Sequence, residues 1–284
     1  MKRLLTHILT IVVLAGCQRV EPAEYEPRLV VEAWICSSQS PVVMLTSSIS
    51  PDAVLRSVDA LEEHILKQAT VRLSDGSREV LLKGETREGA LPPYVYTSDE
   101  MKGEEGKTYS LSIEAAGFRK AKATARIPSA VPLSGISAEK YGDTDTTWLL
   151  RARFLDPEGQ HNYYKFFSCI EGVDKDFNPT RLDLIDDDVL SPGKEAEVLL
   201  LPGSALFTGK EQRSCYYSSD LVHVRFCTMT EEVANLWRVY DTEAVRASLP
   251  ILSSVSNLPG NVEGALGYFA GYGCCEHDVV PSEL

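Results

Sequence analysis

The chain has 284 residues, of which 44% are hydrophobic and 24% are charged, and its formal net charge at pH 7 is −13. This composition is typical of folded globular proteins, and the length suffices for two domains. Because proteins that bind nucleic acid carry basic patches that neutralise phosphates, the acidic excess argues against a nucleic-acid partner.

The first residues have the pattern of a secretory signal. Lys2 and Arg3 precede an apolar run over 4–14 that is too short to cross a bilayer as a helix. The run ends in the sequence LAGC, which resembles the lipobox of bacterial lipoproteins, where a peptidase cuts before the cysteine and acyl chains are attached to it. We therefore expect residues 1–16 to be removed and Cys17 to be lipidated. The alternative is a plain secretory signal whose Cys17 later joins a disulfide.

The next two segments are predicted to be a tether and a β-sandwich. Residues 17–27 hold two prolines and three glutamates, which suits a lipidated tether. From Leu29 the hydrophobic period is two, in "LVVEAWI", "YSLSI" and "AKATARI", and Asp75-Gly76 predicts a tight hairpin turn. We expect residues 28–128 to form an immunoglobulin- or transthyretin-like antiparallel β-sandwich with one wet face. The segment 57–68 is a short helix or a long loop.

A second, β-rich domain is predicted over residues 129–284. The turn-rich "IPSAVPLSG" marks the boundary, and "WLLRARF", "YYKFFSCI", "EVLLL" and "LVHVRFC" are typical of strands. The period then changes to that of an amphipathic helix, expected from about 229 to about 247. Thr228 and Glu231 have the spacing of a capping box, and the apolar stripe contains Val233, Leu236, Trp237 and Tyr240.

Seven cysteines occur in the chain: Cys17, Cys36, Cys169, Cys215, Cys227, Cys274 and Cys275. In an oxidising compartment, the six that follow Cys17 are candidates for up to three disulfides. A ring between the neighbours Cys274 and Cys275 would be strained, so we expect each to reach a distant partner among Cys169, Cys215 and Cys227.

The segment "GALGYFAGYG", residues 264–273, raises the question of a ligand-cradling loop. Phosphate loops combine a defined glycine spacing with a helix N-terminus, and this segment has neither. We therefore favour a strand in which glycines allow close backbone approach. If Tyr268 and Tyr272 are exposed, they could stack on a sugar or a peptide.

Signals for metal or hydrolytic chemistry are weak. "CCEHD" lacks the paired spacing of structural zinc, so disulfides are the favoured interpretation, and "DLIDDD" at 183–188 lacks the EF-hand pattern and is expected to be a solvated acidic loop. Hydrolase motifs are missing, and no histidine stands beside an obvious nucleophile in the sequence. A carboxylate pair for glycoside cleavage stays open, because such a pair is recognised by spatial separation. We predict no cofactor and no metal.

The lipobox, "LVVEAWI", "VVMLTSS", "ATVRLSDG", "GKTYSLSIEAAG", "ATARIPSAVPL" and "NLPGNVEGALGYFAGYG" occur in an order that resembles a family of Bacteroidota outer-membrane lipoproteins, DUF4249. The resemblance covers about residues 17–273, and its closing segment is the most specific part. Leu258, Val262 and Ala265 depart mildly from that pattern. The resemblance implies a lipid-anchored outer-membrane protein exposed on the cell surface, usually encoded beside a TonB-dependent receptor and accessory to nutrient uptake. It transfers no catalytic residue.

Two classes of function follow from these observations. The first is a non-enzymatic accessory that binds a TonB-dependent receptor, an unknown nutrient ligand, or both. Its candidate binding surface contains Trp34, Tyr268, Phe269 and Tyr272. The alternatives are a surface-attached hydrolase with unrecognised acidic catalytic residues, or a purely structural surface protein.

Overall fold

The computed structural model describes residues 25–50, 62–87, 92–182, 184–191, 193–203, 213–247 and 259–284. The predicted signal, the lipidation site Cys17 and most of the tether lie outside these ranges. So do residues 57–61 of the ambiguous segment 57–68, of which residues 62–64 form a 3₁₀ turn.

The described residues form a mainly β protein with one α-helix, as predicted. The strands are β1 Leu29–Cys36, β2 Val42–Ser47, β3 Ala69–Ser74, β4 Glu79–Thr86, β5 Tyr94–Thr97, β6 Thr108–Ala115, β7 Ala121–Arg126, β8 Leu133–Lys140, β9 Thr147–Leu155, β10 Tyr163–Ile170, β11 Asn178–Pro179, β12 Ile185–Asp186, β13 Glu195–Leu200, β14 Tyr216–Tyr217, β15 Val222–Met229 and β16 Leu266–Val279. The helix is α1, Glu231–Ala247, and 3₁₀ turns span Asp187–Val189 and Pro281–Glu283.

The strands form one large and one small sheet. The large sheet has the order β11-β10-β15-β16-β1-β2-β5-β4-β3-β6-β7, with β12 beside β10, and the small sheet has the order β13-β9-β14, with β8 beside β9. The pairings among β1 to β7 are all antiparallel, as expected for residues 28–128. The pairing of β1 with β16 is parallel, so the large sheet as a whole is mixed. Strands so far apart along the chain need no hairpin, and either direction of pairing is therefore open to them.

The first sandwich-like core lies between the N-terminal strands. Alternate residues of β1, namely Leu29, Val31, Ala33 and Ile35, point into it, together with residues of β2, β3, β4, β6 and β7. Asp75-Gly76 forms the turn between β3 and β4, and Gly76 has a φ of 86°, which favours glycine. The alternation of apolar and polar residues thus predicted the buried face of these strands.

A second core lies between the small sheet and the β10-β15-β16 end of the large sheet. Its aromatic centre is Phe154, Tyr164, Phe166 and Phe226, all fully buried. The two cores meet between Ile127 and Val131, within the "IPSAVPLSG" segment. Strand β16 runs along both, because its residue Phe269 belongs to the first core and Val279 to the second.

Glycines let β16 pass close to its neighbours. A Cβ atom on Gly267 would overlap the carbonyl oxygen of Val31, and one on Gly271 would overlap that of Arg126 in β7. These contacts confirm that the Gly-aromatic segment is a strand with close backbone approach. Strand β7, at one end of the large sheet, therefore packs against β16 in the middle of the same sheet, which requires the sheet to be strongly bent.

Helix α1 covers the face of the large sheet that lies opposite the first core. Its side chains Val233 and Ala234 are buried in a third apolar cluster with residues of β10, β15 and β16. The helix has the predicted extent, but the predicted capping box is wrong. Thr228 is the buried penultimate residue of β15, and its hydroxyl accepts a hydrogen bond from the Val131 N–H at 3.3 Å. Within the described ranges, no helix combines the length and the apolar character that a bilayer crossing requires.

Candidate functional site

A cavity of about 440 Å³ lies between the large sheet and helix α1. Strands β1, β15 and β16 supply its floor, α1 supplies one wall, and residues 176–179 supply another. Seven aromatic side chains contribute to its lining: Trp34, Phe167, Phe177, Trp237, Tyr240, Tyr268 and Tyr272. Volume and lining are in the range of small-molecule sites, which are mostly apolar with a few placed polar groups.

The strand register explains how the floor is built. In the parallel pair, Glu32 lies opposite Tyr268, and Cys36 lies opposite Tyr272. Paired residues point to the same face of a sheet, and successive residues alternate between faces. Along this paired stretch, the even-numbered residues therefore line the cavity and the odd-numbered residues face the first core. The first group is Glu32, Trp34, Cys36, Tyr268, Ala270 and Tyr272, and the second contains Val31, Ala33, Ile35 and Phe269.

Aromatic contacts fix the helical wall. The Trp237 indole N–H donates a hydrogen bond of 3.0 Å to the Tyr272 hydroxyl, and the Trp237 ring meets Phe167 edge-on at 5.4 Å. Tyr240, one turn further along the helix, lies 5.2 Å from Trp237. These edge-to-face contacts favour one arrangement of the rings around the cavity.

A buried ion pair joins the helix to the sheet behind the cavity. Lys165 of β10 is 1% exposed, and its Nζ lies 2.7 Å from Asp241 Oδ2 on α1. Nζ also donates to the Leu182 carbonyl oxygen at 3.1 Å and lies 5.2 Å from the centre of the Trp237 ring. Because a buried charge needs its partner, this pair holds α1 at a defined place on the sheet.

Glu32 is the charged group at the floor of the cavity. Its side chain is exposed to solvent in the open cavity, and desolvation by the protein packed around its carboxyl group raises the pKa of that group. No hydrogen-bond or ion-pair partner reaches this carboxyl group from the residues whose positions are described. Its negative charge opposes ionisation of Tyr240 and Tyr272, whose pKa values are raised mainly by burial.

Tyr268 and Arg225 are two of the other polar residues that line the cavity. The Tyr268 hydroxyl is buried and has no hydrogen-bond partner within the described part of the chain. Arg225 is already engaged, since its Nε lies 2.6 Å from Glu276 Oε1 and its guanidinium carbon lies 3.7 Å from the centre of the Phe177 ring. The cavity therefore contains an unsatisfied hydroxyl and an unpaired carboxyl group, whereas its arginine is satisfied.

Most of the aromatic residues predicted to form an exposed binding surface are buried in the structure. Tyr268 is 6% exposed, Tyr272 is 8% exposed and Phe269 is 0% exposed, so the expectation that they form an exposed surface is wrong. Both faces of β16 are covered, one by the first core and one by α1, and Phe269 faces the core. Tyr268 and Tyr272 nevertheless line the cavity, together with the half-buried Trp34.

Sequence reasoning missed Glu32, Arg225, Trp237 and Tyr240 as site residues. One available signal was that Glu32 and Trp34 lie on the same face of "LVVEAWI", the face that was expected to be exposed to solvent. Trp237 and Tyr240 were recognised only as part of an apolar helical stripe.

Comparison with known proteins identifies the family of this chain. The family described as Domain of unknown function (DUF4249) matches residues 18–275. The chain belongs to this family. A match to the crystal structure of the YadV chaperone at 1.63 Å covers 72% of this chain and 94% of the chaperone chain, with 12% sequence identity. Its TM-score is 0.18, so this likeness carries no structural or functional argument. A comparison with curated proteins finds no match.

The disulfide of this DUF4249 protein lies beside the cavity. Cys227 and Cys274 face each other across β15 and β16 with a Cα–Cα distance of 4.2 Å, which confirms that Cys274 reaches a distant partner. The same expectation is wrong for Cys275, which is a free thiol in β16 with Sγ 3.4 Å from the Val131 carbonyl oxygen. The remaining free thiols among the described residues are Cys36, Cys169 and Cys215. Burial raises the pKa of the Cys36 thiol to about 11.

Two histidine clusters lie away from the cavity. His161, Asp186, Asp187 and Asp188 bring potential metal-ligand atoms within 4.8 Å of one another. The acidic segment is therefore not wholly the solvated loop that was expected, because Ile185–Asp186 forms β12 and Asp187–Val189 forms a 3₁₀ turn. The Asp186 carboxylate is paired, since His161 Nε2 and Arg238 Nη2 of α1 lie 2.9 Å and 2.5 Å from its oxygens, whereas Asp188 is exposed.

The second cluster is formed by residues that are 17 positions apart along the chain. Ser47 Oγ lies 2.9 Å from His64 Nδ1, so a histidine does stand beside a hydroxyl group. A hydrolytic triad also needs a group that orients the histidine, and no carboxylate contacts His64 within the described ranges. This pair is therefore an incomplete catalytic arrangement.

Proposed function

We propose that this DUF4249 protein is a non-enzymatic, lipid-anchored surface protein that captures a small ligand in the cavity between the large sheet and α1. The observation that carries the proposal is the cavity itself, about 440 Å³ in volume and lined by seven aromatic side chains. A packed core would fill such a space, because protein interiors are as dense as organic crystals. Its lining resembles that of preformed binding pockets.

The polar groups of the cavity favour binding over catalysis. Glu32 and Asp176 are the acidic residues of the lining. Among the described residues, the histidines contacted by serine or aspartate lie outside it, in the Ser47–His64 pair, the His161 cluster and the His223–Asp278 pair. A nucleophile activated by a neighbouring base is thus not assembled in the described lining.

The physiological setting that we propose is nutrient uptake at the outer membrane. Support comes from the resemblance of LAGC to a lipobox and of the chain to lipoproteins encoded beside TonB-dependent receptors. In this proposal, the protein acts as an accessory that presents its ligand to such a receptor.

Ligand capture is tested with a variant that fills the cavity. Leu236 is a half-buried residue of α1 that lines it, and Leu236→Trp should occupy part of the volume. The matched control is Leu81→Trp, because Leu81 is an exposed leucine of β4 outside the lining. Each protein is dialysed against a small-molecule extract of the source cells, reisolated and denatured, and the released compounds are identified by mass spectrometry.

The wild-type protein and the Leu81→Trp protein should release the same compound unaltered, and Leu236→Trp should release much less. Equal retention by all three proteins would contradict capture in the cavity. Conversion of the compound into products by the wild-type protein would instead support a hydrolase.

The receptor is tested separately by gentle solubilisation of the native outer membrane and purification through a tag at Leu284. A stoichiometric TonB-dependent receptor in the purified material would support the accessory role. A lipoprotein that purifies alone would contradict stable association with a receptor and favour an independent or structural role.

A further inference from the structure

We propose that the ligand of this cavity is an organic cation, a protonated or quaternary amine whose nitrogen lies against Glu32 and among the surrounding aromatic rings. This inference rests on the proposed function and specifies the chemistry of the same site. Three observations carry it: the balance of charge in the cavity, the kind of rings around Glu32, and the unsatisfied hydroxyl of Tyr268, the partner of Glu32 in the strand register.

The charge balance favours a cation. Glu32 and Asp176 contribute two acidic groups to the lining, and neither has an ion-pair partner among the described residues. The guanidinium group of Arg225 is already paired with Glu276 and stacked on Phe177. An anionic ligand would therefore be repelled by the unpaired carboxyl groups, whereas a cation would supply the positive partner that Glu32 lacks.

The rings around Glu32 suit the same ligand. Trp34 lies two residues along β1 on the same face, Tyr268 lies directly across the ladder, and Tyr240 and Tyr272 are close enough to sense the charge of Glu32. The faces of tryptophan and tyrosine rings attract cations, and aromatic cages are a common means of recognising quaternary ammonium groups. A carboxyl group among such rings combines both attractions in one site.

The Tyr268 hydroxyl provides an independent indication of a missing partner. This side chain is 6% exposed and its hydroxyl has no hydrogen-bond partner in the described structure. Tyr268 lines the cavity and is paired with Glu32 in the strand register. Buried polar groups are normally hydrogen-bonded, because leaving one unpaired is costly. A polar group of the ligand close to the cationic nitrogen would satisfy it.

Two nearly isosteric probes test the charge requirement. Choline carries a trimethylammonium group, and 3,3-dimethyl-1-butanol has a neutral carbon in place of the nitrogen. Binding is followed on the purified protein by the indole N–H signals of its three tryptophans. Trp34 and Trp237 line the cavity, and Trp148 lies in the small sheet and is an internal control.

Choline should shift the signals of Trp34 and Trp237 but not that of Trp148, and the neutral alcohol should bind at least about tenfold more weakly. Glu32→Gln should weaken choline binding about 10- to 100-fold and leave the weak binding of the alcohol unchanged. The control Glu105→Gln removes the same charge from an exposed turn and should have no effect. Thermal unfolding of each variant verifies that it is folded.

Equal binding of the two probes to the wild-type protein would overturn the cation proposal. Choline binding that is unchanged in Glu32→Gln, or shifts confined to the Trp148 signal, would overturn it too. Failure of both probes would overturn it as well. None of these results would decide ligand capture, which the comparison of Leu236→Trp with Leu81→Trp tests independently.

Discussion

The ion pair between Lys165 and Asp241 should be the principal electrostatic link between α1 and the sheet. Lys165 is 1% exposed, and the Asp241 side chain is 20% exposed. Removing one partner of a buried pair costs about 3–5 kcal/mol, because the other charge stays buried without compensation. Asp241→Asn leaves the less accessible charge behind and should lower the free energy of unfolding by about 4–5 kcal/mol. Lys165→Met leaves the more accessible charge and should cost about 3 kcal/mol.

Urea unfolding followed by tryptophan fluorescence measures these differences. The double variant Lys165→Met/Asp241→Leu removes both charges and should be more stable than either single variant, since apolar replacement of a buried pair is often neutral. The control is Lys120→Met, which breaks the exposed pair with Glu114 and should cost less than about 1 kcal/mol. A larger cost for Lys165→Met than for Asp241→Asn, or costs below about 1 kcal/mol for both, would refute the reasoning.

Three further predictions follow from the structure. Gly271→Ala should lower the free energy of unfolding by about 3 kcal/mol, measured by urea unfolding, because its Cβ would overlap the Arg126 carbonyl oxygen; an unchanged midpoint would contradict the close packing of β16. Replacing Cys227 and Cys274 by alanine opens a cross-link between residues 47 apart and should cost about 4 kcal/mol by the loop-entropy relation; peptide mapping that finds a different pair would refute this assignment. Desolvation raises the pKa of the Glu32 carboxyl group, so the stability that this group contributes in its neutral form is lost as pH rises through its folded-state pKa. Glu32→Gln should match the wild type in free energy of unfolding below about pH 4 and be the more stable protein at pH 7. Identical pH profiles of unfolding for the two proteins would contradict this.

The pH prediction depends on the charges that surround Glu32. The charge of Glu32 acts on Tyr240 of α1 and Tyr272 of β16, and Tyr268 is its partner in the strand register. Arg225 of β15 lines the same cavity and is paired with Glu276. Asp176 lines the wall formed by residues 176–179. The tyrosines have pKa values raised by burial and stay neutral over the range tested. Glu32→Gln therefore isolates the carboxyl group that lies beside them.

Local pattern was sufficient to predict most elements of the fold. Strands β1, β6 and β7 show strict alternation, which depends on neighbouring residues alone, and the stripe that contains Val233 and Trp237 marks α1 in the same way. The Gly-aromatic segment was also predicted to be a strand. Its glycines have the expected role, since Gly267 and Gly271 lie against neighbouring backbone.

Features that depend on distant pairing could not be predicted in this way. The parallel pairing of β1 with β16 brings Glu32 beside Tyr268, although they are far apart along the chain. Alternation shows that Tyr268 and Phe269 face opposite ways, but it does not show that both faces of β16 are covered. The cap at Thr228 failed for a related reason, because the threonine hydroxyl binds Val131 of a distant segment.

The most direct test of ligand capture is native mass spectrometry of the protein isolated from its own cells under gentle conditions. We predict a discrete excess mass on the wild-type protein that dissociates on activation as a singly charged organic cation. The same adduct should be absent from Leu236→Trp and present on Leu81→Trp. A wild-type protein that shows only the mass of its own processed chain, or an adduct that persists unchanged in Leu236→Trp, would contradict the assignment of this cavity as the ligand site.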